Sequence, residues 1–250
     1  MARSGSGTPR LVIFIALIAA AVFLYNRINQ PVPRRPERRR ESSRIHRKQD
    51  ELPMYPGAET HYGERHSAPE SCQAMGVSCE SSYLTPWTEP ANGTCRLRME
   101  DGYPIPDPRC TPGGINPSVT VDDLRNPGWR TRCIRNCQTS EEQKHAAYAW
   151  YGIREPHHNF KKRQVCELDH LVPLELGGAD GLGNIWPQCG PDGVVLDQRY
   201  FKLKDRVENY LADQVRTGRM PLAEAQRGIA SDWVQYLPAA NRYCAAGGRC

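Results

Sequence analysis

Asp169 and His170 are adjacent, and Asn184 follows them across a glycine-rich turn, Leu176-Gly177-Gly178-Ala179-Asp180-Gly181-Leu182-Gly183. A carboxylate is a hard oxygen ligand suited to a divalent cation such as Mg²⁺. A neutral imidazole beside it can take a proton from water near neutral pH. An amide on the far side of the turn can complete a metal shell or pin the loop that carries the histidine. Phosphodiester hydrolysis uses these parts: a base for water, and a cation for the charge that develops on the phosphate and the leaving oxygen.

Side chains of this kind must be held by regular elements. Residues 164–172 read as a strand, after which Pro173 stops ladder pairing. Asn184-Ile185-Trp186 reads as a short returning strand that stops at Pro187. A helix follows over about 196–216, because Tyr200, Leu203, Val207, Leu211 and Val215 recur at spacings of three and four. Gly218 stands where a C-terminal cap belongs. A second helix covers about 222–236. Upstream, Thr139-Ser140-Glu141-Glu142 opens a helix running to about residue 151, with Gly152 as its stop. The fold class is α+β: a hairpin-plus-helix core able to hold one cation, with additional helices and little sheet.

The stretch Glu167-Leu168-Asp169-His170-Leu171-Val172-Pro173-Leu174-Glu175-Leu176-Gly177-Gly178, followed by Asn184-Ile185-Trp186-Pro187-Gln188, resembles the HNH, or ββα-metal, nuclease superfamily, closest to a bacterial HNH-like branch. The resemblance extends from about residue 113 to about 236. It implies cleavage of DNA or RNA with Asp169 as a metal ligand, His170 as general base and Asn184 as the middle residue of the signature. Asn184 is then a second candidate metal ligand. The cation implied is Mg²⁺ first, with Mn²⁺ or Zn²⁺ as alternatives. The pattern departs from the family in one place. A third His or Asn belongs early on the helix after the return strand, yet no histidine follows His170. Gln198, Lys204, Asp205 and Glu208 are the possible replacements.

Each residue also has a structural reading. Asn184 suits a brace for the turn better than a ligand, and Trp186 suits the core. Lys204 and Glu208 stand at the spacing of an ordinary helical ion pair. His157 and His158, beside Lys161, Lys162 and Arg163, read as solvated, with phosphate contact as the functional alternative. Two other functions compete with the nuclease. Glu167 and His170 spell E-x-x-H, as in zinc peptidases, but the required upstream His-plus-Asp pair is missing. A non-catalytic, disulfide-stapled binding protein on the same scaffold is the other.

The remaining sequence places these residues in the chain and in a compartment. The 250 residues carry a net charge of +5, but residues 1–50 hold 11 basic against 3 acidic groups. Residues 113–250 hold 18 against 16, so charge permits a nucleic-acid partner without demanding one. Mean hydropathy is −0.66, which excludes a polytopic membrane protein. Residues 11–25 are apolar without interruption and read as a signal peptide or N-terminal membrane anchor within residues 1–25. An Arg/Pro-rich linker spans 26–68, a Cys-rich irregular subdomain 69–112, and the HNH-like domain with its Cys-containing tail 113–250. Ten cysteines without a CxxC pair suit disulfides, and hence export to the periplasm or beyond. The arginines that follow the apolar stretch argue for the opposite orientation.

Overall fold

The computed structural model describes residues 75–250, which fall within one compact unit, Ala58–Cys250. The apolar stretch at 11–25, the linker and Cys72 lie outside the described residues.

The described chain is α+β, with three two-stranded antiparallel sheets among helices. Strand β1 (Ser82–Tyr83) comes first. Strands β2 (Arg98–Glu100) and β3 (Tyr103–Ile105) then form a hairpin, and β4 (Gly114–Ile115) pairs back with β1. Helices α1 (Val121–Arg125), α2 (Glu141–Lys144) and α3 (Ala146–Trp150) follow. Strands β5 (Cys166–His170) and β6 (Ile185–Cys189) form the hairpin that carries Asp169 and His170. Helices α4 (Tyr200–Arg216), α5 (Leu222–Ser231) and α6 (Leu237–Ala245) complete the chain.

Local sequence accounts for several boundaries. Thr120 and Asp123 close a capping box on α1, as Ser140 and Gln143 do on α2, satisfying helix N–H groups that would otherwise lack partners. The helix read over 139–151 is two short ones, because the chain turns at His145 between α2 and α3. The returning strand starts one residue after Asn184, which ends a 3₁₀ turn, and it continues through Pro187 to Cys189. Proline survives there because Leu168 and Pro187 pair at a position of a two-stranded ladder whose outer side has no neighbour. The helix read from residue 196 begins as a separate 3₁₀ turn, Leu196–Gln198, before α4. The helix read over 222–236 stops at Ser231, and α6 is an additional helix.

Two cores hold the elements together. Val207, Leu211 and Val215 of α4 pack with Leu174, Leu176, Ile229 and Trp233. Trp150, Tyr151, Leu171, Ile185 and Trp186 form the other, against Cys95 and Cys110. Residues 75–112, the described part of the Cys-rich subdomain read over 69–112, contribute Val77 and Ile105 to the first core and Cys95 to the second. They share their packing with the rest of the unit.

Disulfides join Cys79 to Cys137, Cys95 to Cys110, Cys166 to Cys189 and Cys244 to Cys250, and Cys133 is also disulfide-bonded. Cys166 and Cys189 are register partners, so their bridge ties the open end of the β5–β6 hairpin. Bridges of this number suit an oxidising compartment. Among the described residues, no helix is long and apolar enough to cross a membrane.

Candidate active site

Successive side chains of a strand leave by opposite faces. Asp169 and His170, adjacent on β5, accordingly take different partners, although both line one small polar cavity of about 110 Å³.

His170 is buried, and its Nε2 lies 2.8 Å from Asp180 Oδ1. Because a carboxylate only accepts, this contact places the ring proton on Nε2. Nδ1 has no hydrogen-bond partner among the described residues. Burial lowers the pKa of His170, and the neighbouring Asp180 only partly offsets it. The ring is therefore neutral at pH 7, with Nδ1 free to accept a proton.

Asp180 is itself buried, and the same Oδ1 receives the Lys144 ammonium at 2.9 Å. Burial opposes its ionisation, but His170 and Lys144 together hold its pKa below the usual carboxylate value. Lys144 is anchored further by Asn136 at 2.9 Å and Glu141 at 3.2 Å. The order Lys144–Asp180–His170 is a charge-compensated support for the imidazole, assembled from α2, the glycine-rich turn and β5. Asp180 sits in the turn already singled out in the sequence. Its role was hidden there, because an aspartate among glycines is an ordinary turn residue.

On the other face, the Lys204 ammonium lies 2.9 Å from Asp169 Oδ2, 2.5 Å from Glu208 Oε1 and 2.8 Å from the His170 carbonyl oxygen. Lys204 is fully buried. Burial works against its charge, but Asp169 and Glu208 outweigh it, and its pKa lies above that of ordinary lysine. Glu167 and Asp205 also line the cavity. Burial and the nearby Asp169 carboxylate push the Glu167 pKa up to about 7. Burial raises that of Asp205 and, by more, that of Glu208.

Asn184 is fully buried and makes four hydrogen bonds. Its Oδ1 accepts from the Gly114 N–H at 3.0 Å and the Val172 N–H at 2.9 Å. Its Nδ2 donates to Val172 O at 2.9 Å and Ala179 O at 2.8 Å. Asn184 thus staples β4 and both ends of the loop behind His170.

The pair Asp169 and Asn184 does not fit the divalent cation that the family resemblance implies. Both lone pairs of Asn184 Oδ1 are used, and the Lys204 ammonium lies against Asp169 Oδ2. Among the described residues, no group of three His, Cys, Asp or Glu side chains is arranged to hold a metal. Of the replacements named for the third signature residue, Asp205 and Glu208 line the cavity and Lys204 lies beneath it, while Gln198 is exposed in the 3₁₀ turn. Glu167 and His170, the E-x-x-H pair of the zinc-peptidase reading, both lie on β5, and among the described residues no metal-holding group of three forms around them. His157 and His158 are exposed, as are Lys161, Lys162 and Arg163. Arg135 lines this cavity.

No family model, curated protein or solved structure matches the chain.

Proposed function

We propose that this chain is an exported hydrolase of nucleic-acid phosphodiesters, built on a ββα hairpin-and-helix core of the HNH type. The observation that carries this reading is the buried Asp180–His170 pair. It fixes a neutral imidazole at the end of β5, beside a polar cavity that His170 lines, with one nitrogen not engaged by Asp180. In the proposed reaction, Nδ1 of His170 takes a proton from a water molecule as its oxygen attacks phosphorus. The bond from phosphorus to the leaving sugar oxygen breaks, and solvent protonates that oxygen. Asp180 accepts from Nε2–H and stabilises the imidazolium that forms, as the orienting carboxylate does in other acid–base dyads. Arg135, at the cavity wall, faces the charge that develops on the phosphate. Asn184 holds the loop in register, and Lys204 supplies the positive charge beside Asp169.

The test uses the purified full-length chain with plasmid DNA and with structured RNA, each with added Mg²⁺ and with EDTA. Cleavage of either substrate is expected, reduced roughly 10²-fold or more by His170→Ala. Equal cleavage by parent and variant would refute the assignment. If neither substrate is cut under any condition, the fold serves as a disulfide-stapled binding scaffold instead.

A further inference from the structure

The cavity at His170 is too small and too acidic to hold a nucleic-acid strand. Its volume of about 110 Å³ corresponds to only a few water molecules at roughly 30 Å³ each. Glu167, Asp169, Glu175, Asp205 and Glu208 surround it. If it acts on one phosphate of a polyanion, the affinity for the rest of the strand must come from elsewhere on the surface.

A second cavity, of about 500 Å³, begins at Glu175, which lines both. Its walls carry four guanidinium groups, Arg125, Arg130, Arg216 and Arg249, with Trp129 behind them. The arginines come from four parts of the chain: the end of α1, the loop after it, the end of α4, and the C-terminal tail. Residues 113–250 carry a surplus of only two positive charges, so gathering four arginines at one cavity concentrates the field there. The acidic groups beside them are Glu175, on the shared wall, and Asp122, whose carboxylate is 3.7 Å from Arg125 Nη1.

Two of these side chains are set in place by hydrogen bonds from their Nε atoms, and Arg125 also has Asp122 near its Nη1. Arg125 Nε donates to Arg216 O at 3.0 Å, and Arg216 Nε donates to Leu124 O at 3.1 Å. Each arginine caps the end of the other's helix. This reciprocal arrangement spends Nε and leaves both terminal nitrogens of Arg216, and Nη2 of Arg125, for a ligand. Arg130 is steadied by the carbonyls of Pro127 and Trp129. Arg249 is brought to the wall by the short loop that the Cys244–Cys250 disulfide closes. The indole N–H of buried Trp129 has no acceptor among the described residues. The cavity therefore offers donors in excess of acceptors, in the planar form that suits phosphate oxygens.

We infer that this arginine-lined cavity binds the phosphate backbone of the nucleic-acid strand whose scissile phosphate enters the His170 cavity. The inference rests on the hydrolase reading for the identity of the strand. Contacts of this kind position a substrate without reading its bases, so binding is independent of sequence and falls steeply with salt.

The experiment measures binding, so that it does not depend on cleavage. Fluorescence anisotropy follows a labelled single-stranded oligonucleotide on the full-length His170→Ala chain over a range of salt. Arg130→Gln and Arg249→Gln are made in that background, because both positions are exposed and neither side chain makes a helix-capping hydrogen bond. Arg216→Gln is added with its melting temperature as a control. Each of the two exposed substitutions is expected to weaken binding several-fold at low salt. Each should also reduce the slope of log K against log[salt] by about 1. Unchanged affinity and slope in both variants would overturn the inference. So would displacement of the oligonucleotide by an equal concentration of inorganic phosphate, which would mark an isolated anion pocket. The two readings fail separately. Arginine-dependent binding without cleavage by the parent removes the hydrolase and leaves the binding cavity. His170-dependent cleavage with arginine variants that bind like the parent removes the cavity alone.

Discussion

The Lys204 ammonium and the Asp169 carboxylate lie 2.9 Å apart at the cavity floor, where the resemblance to HNH nucleases implies a metal ligand. The lysine occupies a core position of α4, between Phe201 and Val207, where an apolar residue is the rule. A buried charge is tolerated only when paired and hydrogen-bonded, and Glu208 and the His170 carbonyl complete its partners. The strand end that carries the imidazole is thereby tied to the helix behind it through one side chain.

Removing that ammonium should be costly. Lys204→Met leaves two buried carboxylates without their cation, and a loss of about 3–5 kcal/mol of unfolding free energy is expected. The double variant Lys204→Met/Glu208→Leu should lose less than the sum of the single changes, because the two side chains interact directly. Denaturant unfolding measures both. A cost below about 1 kcal/mol for Lys204→Met would show that the pair does not hold the floor.

Asn184→Ala should act on the fold before it acts on chemistry. The change strips partners from two backbone N–H groups and two carbonyls in the interior, with an expected cost of about 3–5 kcal/mol. Excess Mg²⁺ or Mn²⁺ should not restore either stability or cleavage. Rescue by metal would instead assign the amide to a cation.

The Asp180–His170 pair gives a signed pH prediction. Burial holds the imidazole pKa below its ordinary value, so the base stays unprotonated into mildly acidic solution and cleavage falls only below about pH 6.5. Asp180 opposes that effect of burial, while Lys144 and Arg135 add to it. Asp180→Asn should therefore move the acid limb of the rate profile to still lower pH while the plateau rate drops. A limb that moves upward would contradict the arrangement.

Glu167 predicts a pH dependence of stability of opposite sign. Its folded pKa of about 7 exceeds the ordinary 4.5. Between those values the folded chain binds more protons than the unfolded one, so stability falls as pH rises through the window. Glu167→Gln removes the buried charge. It should flatten the profile between about pH 5 and pH 8 and raise stability at pH 8 by of order 2 kcal/mol. An unaltered profile would place the carboxylate in effective contact with water.

Much of the scaffold is written in local sequence. Capping residues at Thr120 and Ser140, the apolar spacing along α4 and the Asp101-Gly102 turn between β2 and β3 are each decided by neighbours a few positions away. The hairpin of Asp169 and His170 and the helix after it are legible for the same reason. The α+β class and the disulfide chemistry also follow from pattern and composition.

What the site residues do is a matter of what stands opposite them. Lys204 reads as half of an ordinary helical ion pair with Glu208, since spacing along a helix does not reveal that its inner neighbour is Asp169. Asp180 reads as a turn residue until β5 brings His170 to it across ten positions, with Lys144 arriving from α2. Asn184 reads as ligand or brace, and four backbone groups from separate segments make it a brace. The sequence by itself determined which residues could act and which elements carry them. The tertiary structure alone decided which charges meet, because a carboxylate that finds an ammonium first is no longer the ligand its neighbours along the chain suggest.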